Sequence, residues 1–292
     1  MQENPIPKVP YGKLERLENF PSEHIPARHI DIWLPASYHA DQARPVLYMH
    51  DGQMLFDPAI TWNGQSWGVS QTIHALSQAG EIRAPIVVGI WNPDKARHAE
   101  YFPQKPFTQL PSNFQNYLRH HAKRDDGSAL LTTDVYADNY LRFLVSELKP
   151  YIDQHYVTLP GQQNTLVAGS SMGGLISLYA LCEYPKVFHG AACLSTHWVG
   201  IHRNEHNPIP DTFLNYLEES LPSPANHRIY FDYGTKTLDA LYEPHQLRVD
   251  ELMQRKGYNE QNWQTLKFEG ADHSENAWQE RLHIVLKFLL SA

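Results

Sequence analysis

Hydrophobic and polar positions alternate near the start of the chain, then give way to solid apolar runs separated by amphipathic stretches. In residues 27–34, Ile30, Ile32 and Leu34 alternate with His29, Asp31 and Trp33, the period-two pattern of a strand. Lys13–Phe20 also reads as a strand. Val46–His50 is followed by Asp51-Gly52-Gln53, a turn signal, and residues 85–91 (PIVVGIW) form a continuous apolar run. Runs of that kind belong to strands buried on both faces of a parallel sheet.

From about residue 92 to 133 the periodicity lapses, and Pro, Gln, Asn and His are frequent. A stretch this long reads as a surface excursion, and such loops usually act as lids or binding segments. Thr133 or Asp134 is suited to cap the next helix, whose apolar face runs Tyr136, Tyr140, Phe143, Leu144, Leu148, Tyr151 and Ile152. Strand and helix then alternate. Strands are expected at 165–168, 188–194, 228–233 and 264–268. Helices are expected at 173–184, 240–256 and Glu275–Leu290, with a second irregular excursion over 198–221. Regular alternation predicts a mainly parallel sheet with helices on both faces. With 292 residues, a single α/β domain over 1–292 buries a sufficient core, with surface insertions at about 92–133 and 197–222.

Composition narrows the partners. The formal charge of -8 argues against nucleic acid, which is bound by clustered Lys and Arg, and gives no reason to expect docking on an anionic membrane. Lys123–Arg124 is followed at once by Asp125–Asp126 and reads as a solvated loop. No apolar run approaches the roughly 18 residues of a membrane-spanning helix. Cys182 and Cys193 are the only two cysteines, both in apolar stretches, and read as free and buried. The N-terminus shows no charged region followed by an apolar one, so a cytoplasmic, reduced protein is expected.

The candidate chemistry centres on Gly169-Ser170-Ser171-Met172-Gly173, a G-x-S-x-G pattern with Ser171 in the middle. Such a turn lifts one side chain off a strand end as the chain enters a helix, and neighbouring backbone comes so close that only glycine fits at the flanks. The bare pattern arises by chance in roughly one chain in ten of this length. The apolar strand before it and the helix after it, with Leu175, Leu178, Tyr179 and Cys182 on one face, make it informative. A serine hydroxyl needs a base, and the base a carboxylate. In the α/β-hydrolase fold that such a turn implies, the order is Ser, then Asp or Glu, then His. His273, between the last strand and the last helix, fits the base. The loop after 228–233 offers Asp239 first and Glu243 second as the acid; Asp232 reads as structural. The N–H groups of Met172 and Gln53 are the expected oxyanion donors.

At these residues the chain resembles the putative-esterase family that includes esterase D, feruloyl esterases, enterochelin (trilactone siderophore) esterases and the mycolyl-transferring antigen 85 proteins. The matching pieces are Met49-His50-Asp51-Gly52-Gln53, the stretch from Arg97 to Pro103, Gly169 to Gly174, Phe231 to Thr235, and Gly270 to Ser274 with Trp278. The resemblance implies hydrolysis of a small-molecule acyl ester through an acyl-enzyme, without a cofactor, with Ser171 and His273 as nucleophile and base. Trilactone or thioester substrates are alternatives on the same residues.

Trp62, Trp67, Tyr101, Phe102 and Trp198 fall in loops expected around the nucleophile, where they would favour an apolar or aromatic group. Arg97 and Glu100 are expected to pair with each other. A metal-dependent hydrolase is a second class of reading, from His197, His202 and His206 and from His50-Asp51. The spacing of the three histidines in a loop gives no register that converges ligands on one ion. A non-catalytic binding protein on the same fold is a third.

Overall fold

The computed structural model describes residues 4–124, 126–201 and 206–290. Its strands are β1 (Lys13–Phe20), β2 (Arg28–Leu34), β3 (Val46–His50), β4 (Ile86–Ile90), β5 (Thr165–Ser170), β6 (Gly190–Leu194), β7 (Arg228–Gly234) and β8 (Trp263–Phe268). They form one sheet in the order β1-β2-β4-β3-β5-β6-β7-β8. β1 pairs antiparallel with β2 and β2 with β4; every pairing from β4 to β8 is parallel.

The central strands are buried on both faces, and the two-residue period decides which core each side chain joins. Tyr48, Val88, Val167, Ala191 and Phe231 point into one core with helix Met172–Glu183 and the helices of residues 137–155. Leu47, Val87, Leu166, Ala192 and Tyr230 point into the other, against helices Val69–Gln78 and Glu275–Leu290. Helix Met172–Glu183 is buried from Met172 through Cys182, as its apolar composition on every side requires. Cys182 and Cys193 are both free and buried. Among the described residues no helix is long and apolar enough to cross a membrane.

Two expectations are corrected. The stretch around 92–133 is not a surface excursion. It folds into short helices at Arg97–Tyr101, Gln104–Gln109 and Ser112–His120, and buries Tyr101, Phe102, Phe107 and Leu118 in the core. Pro103 and Pro111 separate these helices before any long period can build up, which is why the pattern reads as irregular. The following helix is not capped by Thr133 or Asp134. It begins at Ala137 after Tyr136, while Asp134 pairs with Arg119, and it continues through a π-helical turn at Leu144–Leu148 to His155.

The parallel strands end along one edge of the sheet. From that edge come the turn at Asp51–Gln53 after β3, Ser171 after β5, Ser195 after β6, Asp239 beyond β7 and His273 beyond β8. In open α/β sheets this edge is where ligands bind.

Candidate active site

Ser171 lies between β5 and helix Met172–Glu183 with φ 59° and ψ -122°, a conformation that a non-glycine residue holds only under constraint. The constraint is local. Its N–H donates to Leu194 O at 2.9 Å, and its carbonyl accepts from His197 N–H at 3.2 Å. A Cβ on Gly169 would lie 2.7 Å from the carbonyl of Gly173, so the turn closes only with glycine there. Ser171 is 9% exposed and opens on a cleft of about 1050 Å³ that Gln53, Trp67, Met172, His197 and His273 also line.

His273 Nδ1 lies 2.5 Å from Asp239 Oδ1, and Asp239 is fully buried. Burial works to raise the Asp239 carboxyl pKa, but hydrogen bonds from His273, Ser195 and the Gly234 N–H outweigh it and hold the carboxyl below its ordinary value. Glu243, the second candidate acid, sits instead with Lys267 at 2.9 Å. Asp232 pairs with Arg281 at 2.9 Å, in keeping with a structural role. The His273 ring stands edge-on to Trp278, 5.1 Å between centroids, and Trp278 packs on Trp67 at 5.6 Å.

The turn after β3 faces the serine. Met172 and Gln53 each lie in the first turn of a helical segment, where backbone N–H groups have no intrahelical acceptor. Asp51 holds φ 57° at the head of this turn. Its carboxylate takes two hydrogen bonds of 2.7 Å from Arg97 and one of 2.6 Å from Asn92. Burial would raise the Asp51 pKa, and Arg97 and Asn92 bring it down instead. The Asp51 N–H donates to the Tyr101 hydroxyl at 3.3 Å.

The remaining expected site residues fall in different places. Trp67 lines the cleft, and Trp62, 84% exposed, stands at its rim. Tyr101 is buried beneath the Asp51 turn and Phe102 in the core, so neither lines the cleft. Trp198 is also buried away from it, donating its indole N–H to Gln246 at 2.9 Å. Arg97 and Glu100 do not pair, although an offset of three leaves them neighbours on a helix: Asp51 claims Arg97, and the buried Arg28 claims Glu100 at 2.5 Å. His197 lines the cleft and pairs through Nδ1 with the Tyr242 hydroxyl at 2.7 Å. Among the described residues no group of three or more His, Cys, Asp or Glu is arranged to hold a metal; His202 lies outside them.

The model of the family described as putative esterase matches residues 26–289. The chain belongs to the putative esterase family. The chain is 25% identical over 182 residues to the uncharacterized protein YbbA of Bacillus subtilis (strain 168), 61% of its own length and 60% of the relative's. It superposes on a ferulic acid esterase with a TM-score of 0.68 at 18% identity, covering 96% of this chain and 98% of that one. Against the enterobactin esterase FES from Shigella flexneri the TM-score is 0.65 at 18% identity, over 97% of this chain and 61% of the other. The likenesses give the chain an α/β-hydrolase fold along nearly all of its length.

Sequence reasoning missed Ser195, the Asp51–Arg97 pair and the His197–Tyr242 pair. Arg97 and Asp51 each stood in a motif, but nothing in their spacing, 46 positions apart, tied one to the other.

Proposed function

We propose that this esterase hydrolyses carboxylic esters through an acyl-enzyme on Ser171, with His273 as general base and Asp239 as the acid that orients it. The observation that carries this reading is the 2.5 Å contact between His273 Nδ1 and the buried Asp239, in a cleft that the strained Ser171 shares. With the Nδ1 proton held toward Asp239, Nε2 is the ring nitrogen left to take the serine proton. Ser171 Oγ then bonds to the ester carbonyl carbon while its proton passes to His273. The carbonyl oxygen becomes an oxyanion facing the N–H groups of Met172 and Gln53. Collapse breaks the bond to the alcohol oxygen, which leaves with the proton from His273. Water repeats the sequence on the acyl-enzyme and frees the acid.

The cleft's size and the indoles of Trp62 and Trp67 support an ester with a bulky, partly apolar group over a short alkyl ester. The similarity to an enterobactin esterase makes a trilactone a second candidate of that description. The test is hydrolysis of p-nitrophenyl acetate and butyrate, feruloyl esters, trilactones and thioesters by the wild type and by Ser171→Ala. Fluorophosphonate labelling of both proteins accompanies it. The expected result is a loss of at least roughly 10³-fold in Ser171→Ala, with labelling abolished and the fold kept. Unchanged turnover in that variant rejects the reading.

A further inference from the structure

Ser195 follows β6 with φ 42°, fully buried, its N–H donating to Asp232 O at 2.9 Å. Three groups surround its hydroxyl. Trp278 Nε1 lies 2.9 Å away, Arg281 Nη2 2.8 Å and Asp239 Oδ2 2.6 Å. An indole N–H and a guanidinium can only donate, so they occupy the acceptor positions of the hydroxyl. Its single proton therefore goes to Asp239. The same Oδ2 accepts the Gly234 N–H at 2.6 Å, which leaves Oδ1 for His273. Below, Arg281 is paired with Asp232 at 2.9 Å, and both are almost wholly buried.

We propose that Ser195 is a positioning residue of the esterase: it locks the Asp239 carboxylate with Oδ1 toward His273 and links it to the buried Arg281 cation. This rests on the assignment of Asp239 and His273 as acid and base. The link has an electrostatic consequence. A proton donated to Oδ2 draws charge away from the carboxylate. Without it, the charge on Oδ1 is greater, the imidazolium of His273 is better stabilised, and the base becomes protonated at a higher pH. Other charged and titratable groups facing this pair include Asp232 on β7, Arg281 and Glu275 on the last helix, Tyr242 beyond the Asp239 turn, His197 after β6 and Arg97 across the cleft. Of these, Arg281 alone touches the Ser195 hydroxyl, and it keeps its pairing with Asp232 when that hydroxyl is removed.

The experiment compares kcat/KM against pH for Ser195→Ala and Ser195→Cys with p-nitrophenyl acetate, alongside Ser171→Ala and Asp239→Asn. Near-ultraviolet circular dichroism checks folding. Ser195→Ala is expected to lose about 10- to 100-fold in kcat/KM, and its acid limb to move up by about half a pH unit. Ser195→Cys, of similar shape but a weak donor, should move the same way by less. It decides the matter if the alanine variant does not fold. A folded variant with the wild-type pH profile and kcat/KM overturns the role of Ser195. Full activity in Ser171→Ala or Asp239→Asn would instead overturn the underlying assignment, so the two failures are separable.

Discussion

Arg97 grips Asp51 through two hydrogen bonds of 2.7 Å, and so ties the short helix Arg97–Tyr101 to the turn that carries the Gln53 N–H. Asp51 holds a left-handed backbone that a non-glycine residue adopts only when its surroundings require it. On the proposed mechanism, the pair therefore sets the direction of the N–H that would face the oxyanion.

Breaking this pair is expected to slow chemistry more than binding. Arg97→Met should lower kcat by about 10- to 100-fold with KM little changed, because misdirecting one oxyanion donor costs up to ~3 kcal/mol in the transition state. Asp51→Asn should do the same, and the double variant should be no worse than the poorer single one. Steady-state kinetics decides; additive losses would mean that the two residues act separately.

The candidate acids separate cleanly by substitution. Asp239→Asn should lose about 10⁴-fold in kcat, since an amide can hold His273 in the wrong tautomer. Glu243→Gln disturbs the contacts with Lys267 and the Tyr233 hydroxyl, away from His273, and should stay within about two-fold of wild type. The reverse order would transfer the role to Glu243.

His50 gives the protein an acid-sensitive core. It is fully buried with Nδ1 at 2.7 Å from the Tyr140 hydroxyl, and burial lowers its pKa from 6.5 to about 3. The unfolded chain binds a proton below pH 6.5 that the folded protein refuses. This contribution is present above pH 6.5 and is lost as the pH falls toward about 3. The slope is about 1.4 kcal/mol per pH unit. Urea unfolding at pH 7 and 5 should show His50→Gln losing about 2 kcal/mol less than wild type on acidification. Equal losses would mean that His50 is protonated in the native state.

Trp62 stands 84% exposed at the cleft rim, where an indole can cover the distal part of a large substrate. Trp62→Ala should raise KM several-fold for esters of bulky aromatic acids such as feruloyl esters and leave p-nitrophenyl acetate, with its short acyl group, unaffected. A uniform loss across substrates would place its role in the fold of the loop.

Local rules were enough for the strands and for most of the long helices, and they singled out Ser171 and His273 as candidates. The apolar run of β4, the glycines around Ser171 and the position of His273 before the last helix depend on short-range sterics and periodicity, which neighbours in sequence determine. Asp239 could be preferred over Glu243 by its place after β7. Only the folded chain brings Asp239 to 2.5 Å from His273 and leaves Glu243 with Lys267.

What the tertiary structure alone decided is which distant groups satisfy one another. A buried charge must find a partner, but sequence spacing does not say which. Arg97 and Glu100, three positions apart, look like mates and are claimed by Asp51 and Arg28. Tyr101 and Trp198 share the composition of pocket aromatics, yet packing turns both into the interior. Ser195 became visible only when β6, β7 and the last helix brought two obligate donors to one hydroxyl, leaving its proton a single place to go.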